Sequence, residues 1–439
     1  MAREAPKPPE RVRAARFPGV HLAPRTLYWD PMKGIVLFED EGFANFLPLL
    51  LWRTVFELRP GRDIILDRTA QQLALPVVGV WTRDWIAPVA RHRCGAAVNR
   101  ALAPDALLIN GRWLCEGPVS FPAAPAVGMA GTEVAYIVCD QKLSEQLAPG
   151  DLLSAERRKL ALTGVPRTVA PGEMLRYPWD IVRRLPRTLE ADWKPRDAVV
   201  EEPLDPRVTV ENPERVHIGL HTRVHPTAVL DASAGPVYLS ENVRVGPYSV
   251  IEGPVYIGPG SQINPHAWLH GPNAIGPVCK LGGEIVGCVI HGYTNKQHHG
   301  FLGHCYVGSW VNFGAGTSNS DLKNTYGSVR VSLHGTVVDT GLLFCGGVIG
   351  DHVKTAINAT LPTGVVLGMA AVINTSRVVP KFVPSFGWVT DAAVNRGDPA
   401  RLLDVAVKVM SRRHVDITDE EVELMLDLGT RAFALEQRR

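Results

Sequence analysis

The sequence of 439 residues lacks the features that mark membrane and secreted proteins. It contains no run of about 18 apolar residues that could span a bilayer as a helix. Residues 1–20 hold five basic and two acidic residues without the apolar core of a secretory signal, so we expect a disordered basic arm there and a cytoplasmic protein. The net charge of +2 carries no signature of a nucleic acid or membrane partner.

Cysteine is scarce and poorly placed for ligation. The seven cysteines are odd in number, widely scattered and without a Cys-x-x-Cys pair, which argues against a disulfide framework and a zinc ribbon. His217, His221 and His225 are spaced by four residues, but that spacing gathers ligands only on a helix, and this region follows a period of six. We therefore expect no metal site among these histidines.

Glycine, by contrast, is abundant and concentrated in one block. Residues 216–375 hold 25 of the 41 glycines and 11 of the 14 histidines, but only 14 charged residues. Within the block, aliphatic residues recur at every sixth position, and several of them are followed by glycine. Two ladders result, Val245, Ile251, Ile257, Ile263, Leu269, Ile275 and Leu281, and then Leu343, Ile349, Thr355, Leu361, Leu367 and Ile373.

A period of six fits short strands separated by tight turns, each turn needing glycine or a similar residue at positive φ. Three such hexads make one triangular coil, and stacked coils bury one aliphatic column along each side. A glycine-rich β-sandwich would show strict alternation and turn signals every ~8–12 residues instead. The period therefore predicts a β-solenoid over residues 216–380.

This repeat resembles that of the hexapeptide-repeat transferases, whose solenoid is a left-handed parallel β-helix. The handedness is part of the resemblance and runs against the usual right-handed crossover. The resemblance also implies a homotrimer with acyl-CoA sites between neighbouring subunits.

Between the ladders, at residues 284–342, the pattern breaks in a stretch rich in histidine, asparagine and lysine. Insertions that leave a solenoid are not needed for stacking and are candidates for function. Here His298 precedes Phe301-Leu302-Gly303, and Asn312-Phe313-Gly314-Ala315-Gly316-Thr317 follows. Residues 296–317 thereby resemble the acetyltransferase half of the bifunctional enzyme that makes UDP-N-acetylglucosamine from glucosamine 1-phosphate.

The resemblance implies that His298 is a general base, which removes a proton from a sugar amine as the amine attacks the thioester of acetyl-CoA. Asn312 would contact the sugar or the base. The backbone N–H of Ala315 would bind the thioester carbonyl, where flanking glycines admit the developing oxyanion. His299 is the adjacent alternative to His298.

Two departures from that family bear on the substrate. Phe301 replaces a tyrosine and loses its hydroxyl, and the lysine-rich segment that grips the sugar phosphate is absent around Val286. A phosphate ligand would then need Lys296, Lys323 or Arg330.

Residues 21–185 alternate apolar strand-like runs with polar helical stretches, which is typical of an α/β domain. The glycine-rich phosphate loop of a nucleotidyltransferase is absent, because acidic residues follow Phe38. The region resembles a divergent bacterial group of sugar-nucleotidyltransferase-like proteins. The segments that carry this resemblance are the acidic strand end, Trp52-Arg53-Thr54, Leu58-Arg59-Pro60-Gly61 and Tyr177-Pro178-Trp179-Asp180.

In such a domain Arg53 and Arg59 could bind nucleotide phosphates, with Asp40 holding Mg²⁺ if the domain is active. Alternatively, the two arginines form salt bridges with Glu57 or Asp63 on a helix.

Residues 186–215 contain five prolines and scattered charges and are expected to form a semi-rigid linker. Residues 381–439 are expected to form helices that cover the open end of the solenoid. Asp398-Pro399 is typical of one helix start, and the capping box at Thr418 opens another.

Together these features predict an acetyl-CoA-dependent N-acyltransferase acting on an amino-sugar phosphate or a nucleotide-linked amino sugar. One alternative is a bifunctional enzyme that also transfers a uridylyl group to a sugar 1-phosphate. Another is a non-catalytic scaffold that binds a nucleotide sugar and keeps the solenoid for assembly.

Overall fold

The computed structural model describes residues 34–437, so the basic arm expected at residues 1–20 lies outside the described residues. The N-terminal part is a mixed α/β domain. Its strands are β1 Ile35–Phe38, β2 Val77–Trp81, β3 Ala97–Val98, β4 Leu107–Asn110, β5 Trp113–Leu114, β6 Ala126–Ala130, β7 Glu133–Val138, β8 Arg167–Val169 and β9 Glu173–Met174. Its helices are α1 Ile65–Leu73, α2 Ala87–Arg93, α3 Gln141–Gln146, α4 Pro149–Leu152, α5 Ala155–Ala161 and α6 Pro178–Asp192, with 3₁₀ helices at Glu41–Phe46, Leu49–Leu51 and Val55–Glu57.

Seven of these strands form one sheet in the order β3-β2-β1-β4-β7-β6-β8. The central strand β1 consists of four buried apolar residues and pairs in parallel with β2 on one side and β4 on the other. Strand β7 runs antiparallel to β4. The chain passes from β1 to β2 and β3 on one side and then crosses to β4 on the other, so a crevice is expected beyond the carboxyl ends of β1 and β4.

The second part consists of short strands that stack in coils. They are β10 Thr209–Glu211, β11 Val216–Ile218, β12 Arg223–Val224, β13 Val229–Asp231, β14 Val237–Leu239, β15 Arg244–Val245, β16 Val250–Glu252, β17 Val255–Ile257, β18 Gln262–Ile263, β19 Trp268–His270, β20 Asn273–Ile275, β21 Lys280–Leu281, β22 Glu284–Val286, β23 Val289–Ile290, β24 Asn295–Lys296, β25 Phe301–Gly303, β26 Tyr306–Val307, β27 Ser318–Asn319, β28 Arg330–Leu333, β29 Thr336–Asp339, β30 Val348–Ile349, β31 Lys354–Thr355, β32 Thr360–Leu361, β33 Val366–Leu367, β34 Val372–Ile373, β35 Phe382–Val383, β36 Gly387–Val389 and β37 Val394–Arg396. Two helices follow, α7 Pro399–Ser411 and α8 Asp419–Gln437.

The coils form three parallel faces, the longest being β11-β14-β17-β20-β23-β26-β30-β33-β35. Twelve of the thirteen ladder residues are buried and form the aliphatic columns. The exception is Leu343, which is 43% exposed and lies in a loop outside the coils. The α/β domain, the hexapeptide-type parallel β-helix and the C-terminal helices are thus confirmed.

The glycines that follow ladder residues serve close stacking rather than positive φ. A Cβ on Gly258 would lie 2.7 Å from the carbonyl carbon of Gly276 in the next coil, and Gly276, Gly282, Gly350 and Gly368 are similarly crowded by backbone. None of these five has positive φ, and several left-handed corners carry large residues instead, including Tyr293 and Trp310. The expectation of glycine at positive φ was therefore wrong for these positions.

The interruption is also shorter than the sequence indicates. Strands β22 to β27 keep residues 284–319 within the coils, and only the stretch that carries the antiparallel hairpin β28–β29 leaves them. The ladder loses its period because one coil is shorter than its neighbours. In that coil Leu281 pairs with Lys296, which follows it by only 15 residues. Gly283, at φ 74°, makes that tight corner.

Two boundaries between parts of the chain differ from the positions expected from the sequence. Helix α6 continues to Asp192 with Pro186 inside it, because its buried face packs Leu185 and Leu189 against the core, so the linker does not begin at residue 186. Coil strands continue to Val389 and the antiparallel strand β37 follows, so the C-terminal helices begin at Pro399 rather than at residue 381.

The C-terminal helices pack along the flank of the solenoid and against the N-terminal domain, not over an open end. Helix α8 pairs its Glu421 with Arg93 of α2, and Arg413, just after α7, donates to Asn295 Oδ1 at 2.7 Å. Among the described residues, no helix is long and apolar enough to cross a membrane.

Candidate functional site

The predicted catalytic motif lies at one corner of the solenoid. His298 and His299 are exposed in the turn after β24. The N–H of Gly316 donates to the carbonyl of His299 at 3.1 Å, and the N–H of Asn358 donates to the carbonyl of Ala315 at 2.6 Å. Three successive turns are thus stacked, with the histidine turn directly against the Gly-Ala-Gly turn.

Asn312 lies beside this corner and faces a cavity. Its backbone bridges β24 and β31, and its side-chain oxygen accepts a hydrogen bond from Asn295 Nδ2 at 3.3 Å. The cavity has a volume of 560 Å³ and lies between the solenoid and the end of α7. On its solenoid wall the rings of Tyr293 and Trp310 stack at 4.1 Å.

Lys296 does not reach that cavity. It occupies an interior ladder position at 2% exposure, and its ammonium donates to the carbonyls of Gly282 at 2.9 Å and His298 at 2.7 Å. Burial lowers the pKa of Lys296 to about 8. The lysine supports the turn that carries His298, so the expected phosphate role of Lys296 has no geometric basis.

The remaining predicted residues of this region do not converge on His298 either. Phe301 is half-buried, and its N–H donates to Ser318 Oγ at 3.0 Å. Lys323 donates to the carbonyl of Ser328 at 2.6 Å within the excursion, and Arg330 is exposed on β28.

The structure shows a second candidate for a general base, a histidine paired with a carboxylate, which the sequence did not indicate. His304 Nδ1 lies 2.7 Å from Asp321 Oδ2, and its ring stacks on Phe344. A carboxylate on Nδ1 fixes the imidazole orientation, which is how general bases are held in many enzymes. Both residues fall in the interrupted stretch, but they lie 17 positions apart, and this separation conceals the pairing.

Arg53 and Arg59 lie at the interface between the two domains. The buried guanidinium of Arg53 forms an ion pair with Asp351 of the solenoid and donates to Ser309 Oγ at 3.3 Å. The N–H of Arg59 donates to the hydroxyl of Tyr306 at 2.8 Å. Both arginines therefore join the domains, and neither lines the crevice at the carboxyl edge of the sheet. The alternative pairing with Glu57 or Asp63 is not what they form.

Asp40 does lie at that edge, but its oxygens are already engaged. They accept hydrogen bonds from Arg112 at 2.6 Å each, from Asn110 at 2.8 Å and from the N–H of Gly42 at 3.1 Å. Burial alone would raise the pKa of Asp40, but Arg112 and Asn110 lower it. A carboxylate held this way does not fit the predicted Mg²⁺ role. Within residues 34–437, no group of three metal-ligating side chains comes together.

A cavity of 590 Å³ adjoins Asp40 in the expected crevice of the sheet. Basic side chains line it, and most of them are paired with acids. Arg112 and Arg176 contact Glu133 at 2.6 and 2.7 Å, and Arg158 pairs with Glu41. Two more basic residues, Lys159 and Arg167, complete the lining.

Comparison with known families agrees with this architecture. Residues 35–197 match the family model described as sugar nucleotidyl transferase, and residues 236–271 match the model of the bacterial transferase hexapeptide with six repeats. The N-terminal domain is thus similar to sugar nucleotidyl transferases, and part of the solenoid matches a transferase hexapeptide repeat.

Curated relatives share part of this chain. The bifunctional protein GlmU of Methanococcus vannielii is 34% identical over 106 residues, which cover 24% of this chain and 25% of the relative. The bifunctional sugar-1-phosphate nucleotidylyltransferase/acetyltransferase of Sulfurisphaera tokodaii is 34% identical over 100 residues, 23% of this chain and 25% of the relative. The chain thus spans about a quarter of the length of these relatives.

Among solved structures, a hexapeptide transferase family protein from Anaplasma phagocytophilum is 13% identical, with a TM-score of 0.20. The match covers 53% of this chain and 90% of that one. An identity and a TM-score this low establish no shared function.

Proposed function

We propose that the solenoid transfers an acetyl group from acetyl-CoA to the amine of an amino-sugar phosphate or a nucleotide-linked amino sugar, with His298 as general base. The observation that carries the proposal is the stacking of the His298 turn on the Gly314-Ala315-Gly316 turn. The proposal includes a cytoplasmic homotrimer.

In the reaction, the amine nitrogen forms a bond to the thioester carbonyl carbon, and the carbon–sulfur bond then breaks. One amine proton passes to His298 and from there to the departing thiolate. The backbone N–H of Ala315 stabilises the oxyanion, and Asn312 orients the sugar or the imidazole. Lys296 contributes indirectly, because its ammonium holds the carbonyl of His298.

The test is release of free thiol from acetyl-CoA with glucosamine 1-phosphate and with UDP-glucosamine as acceptors. We expect His298→Ala to lower kcat by ~10²–10⁴-fold, the usual range for a general base. His299→Ala is the matched control, since it alters the neighbouring exposed imidazole. A larger loss in His304→Ala than in His298→Ala would transfer the role of base to the His304–Asp321 pair. Absence of thiol release together with absence of coenzyme A binding would favour the scaffold.

A second candidate function is nucleotidyl transfer to a sugar 1-phosphate at the 590 Å³ cavity. It is favoured by the family match over residues 35–197 and by the position of the cavity at the carboxyl edge of the sheet. Pyrophosphate release from UTP and a sugar 1-phosphate tests it, and Lys159→Ala and Arg167→Ala should reduce the rate. If both variants keep the wild-type rate, the reaction does not occur in this cavity.

A further inference from the structure

Four cations converge on the 560 Å³ cavity between the solenoid and α7. Lys280 and Lys354 come from neighbouring regions of one solenoid face, and Arg412 and Arg413 come from the residues that end α7. The other polar groups of the lining are neutral and can donate hydrogen bonds. They are Tyr293, Asn295, Gln297, Trp310 and Asn312.

No carboxylate compensates these charges. The lining of the cavity contains neither aspartate nor glutamate. Within residues 34–437, none of the four cations forms an ion pair with a carboxylate. Because like charges that line one cavity repel, a bound anion would offset the electrostatic cost of this arrangement.

Two of the cations are held in place by neutral partners. The Lys354 ammonium donates to the carbonyls of Trp310 at 2.7 Å and His352 at 3.0 Å. Arg413 donates to Asn295 Oδ1 at 2.7 Å. These bonds orient the cations without neutralising them, which is the arrangement expected of a pre-organised anion site.

We propose that this cavity binds the phosphate groups of a ligand that carries at least two phosphates, or one phosphate next to a polar group. Arginine forks match phosphate oxygens in bidentate geometry, and lysines add point charges. Val405 and Val409 of α7 supply an apolar wall for the rest of the ligand. Phosphate binding here stands whether or not the solenoid transfers an acyl group.

Two sources of phosphate fit this chemistry, a coenzyme with a diphosphate and a 3′-phosphate, or a phosphorylated sugar. Isothermal titration of the full chain with coenzyme A, glucosamine 1-phosphate and inorganic pyrophosphate distinguishes them. We expect at least one of these probes to bind, with an affinity that falls as salt concentration rises.

The Arg412→Gln/Arg413→Gln double variant should bind that probe at least about tenfold more weakly, and Lys280→Gln should weaken it by a smaller factor. Lys408→Gln is the matched control, because Lys408 is exposed on the same helix and pairs with Asp404 outside the cavity. Its affinity should equal that of the wild type. Unfolding midpoints of all variants identify any loss that reflects folding.

Loss of coenzyme A binding alone assigns the cavity to the coenzyme, and loss of sugar phosphate binding alone assigns it to the sugar. Either result supports the phosphate site. The proposal is overturned if the wild type binds none of the three probes at millimolar concentrations, or if the folded double variant and Lys280→Gln both bind with wild-type affinity.

Discussion

The two large cavities have similar volumes, 590 and 560 Å³, and both are rich in basic residues, yet their charges are organised differently. In the N-terminal cavity, Arg112 and Arg176 are balanced by Glu133 and Arg158 by Glu41. In the flank cavity between the solenoid and α7, none of the four cations pairs with a carboxylate among residues 34–437, and Lys354 and Arg413 donate only to neutral groups. The number of basic residues in a cavity therefore does not identify an anion site. What identifies it is the positive charge that no carboxylate compensates.

The difference also distinguishes charged residues that stabilise the fold through ion pairs from charged residues that are available to bind a ligand. Breaking a buried ion pair leaves one charge without compensation and is strongly destabilising. Removing a cation that has no partner relieves repulsion and should cost little stability. Substitutions in the two cavities are thus expected to affect different measurements.

The largest effect should come from Asp40→Asn, which leaves the buried guanidinium of Arg112 without its main partner. The free energy of unfolding should fall by ~3–5 kcal/mol, as for other buried pairs, in a denaturant titration. Glu41→Gln, at the more exposed pair with Arg158, should cost at most ~1 kcal/mol. Equal losses in the two variants would contradict the structural role of Asp40.

Gln297→Glu would remove the difference between the cavities by placing a carboxylate among the four cations. We expect the affinity for the phosphate probe to fall by ~10–100-fold, which corresponds to ~1.4–2.8 kcal/mol. Stability should stay constant or rise slightly, because the carboxylate compensates Lys280 and Arg413. A phosphate affinity unchanged by Gln297→Glu would show that the probe binds elsewhere.

Glu133→Gln is the reciprocal change, because it removes the carboxylate that Arg112 and Arg176 share in the N-terminal cavity, while Arg112 keeps its pair with Asp40. Pyrophosphate binding to this cavity should strengthen by roughly 3–10-fold, since one compensating charge is lost. The titration is best performed in the Arg412→Gln/Arg413→Gln background, where the flank cavity is weakened. No gain in affinity there would mean that the carboxylate does not limit anion binding.

The smallest effect is a pH dependence at Lys354. Burial lowers the pKa of Lys354 to about 7, well below that of an ordinary lysine. The groups that face it are the carbonyls of Trp310 and His352, with Lys280 and the two arginines across the cavity. Phosphate affinity should therefore fall a few-fold as pH rises above 7, because the ammonium loses its proton.

The same shift has the opposite sign for stability. Between pH 7 and the pKa of an unfolded lysine, the unfolded chain binds more protons at this position than the folded one. The contribution of Lys354 to the free energy of unfolding therefore increases with pH over that range. Lys354→Met should remove both trends in otherwise identical titrations. If wild type and Lys354→Met share one pH profile, Lys354 does not titrate in this range.

Much of the solenoid could be predicted from the sequence because its period is local. Ile257, Ile263 and Ile275 recur at intervals of six or its multiples, so their burial in columns follows from the spacing alone. The shortened coil escaped prediction, because Lys296 replaces an aliphatic residue at an interior position and hides the register. The stacking of the turns that carry the predicted catalytic motif escaped prediction for the same reason, because the broken period predicts that residues 284–342 lie outside the regular coils.

The roles of charged residues could be predicted only poorly. Arg53 was expected to contact nucleotide phosphates, but it pairs with Asp351, which lies 298 residues further along the chain. Partners of an ion pair that lie this far apart in the sequence form neither a periodic pattern nor a motif, so the pairing cannot be predicted from either. The Lys280 and Arg413 cluster escaped prediction for the same reason.

The sequence alone was sufficient to predict the regular coils and their buried columns, because side-chain direction in a repeat depends on near neighbours. Its glycines also marked the solenoid, although the structure shows that close stacking of coils, not positive φ, requires the glycines that follow ladder residues. Which charges are compensated and which face a cavity without a partner follows only from the folded structure. Compensation is set by contacts between segments far apart in the chain, and the energy of a charge depends on everything packed around it.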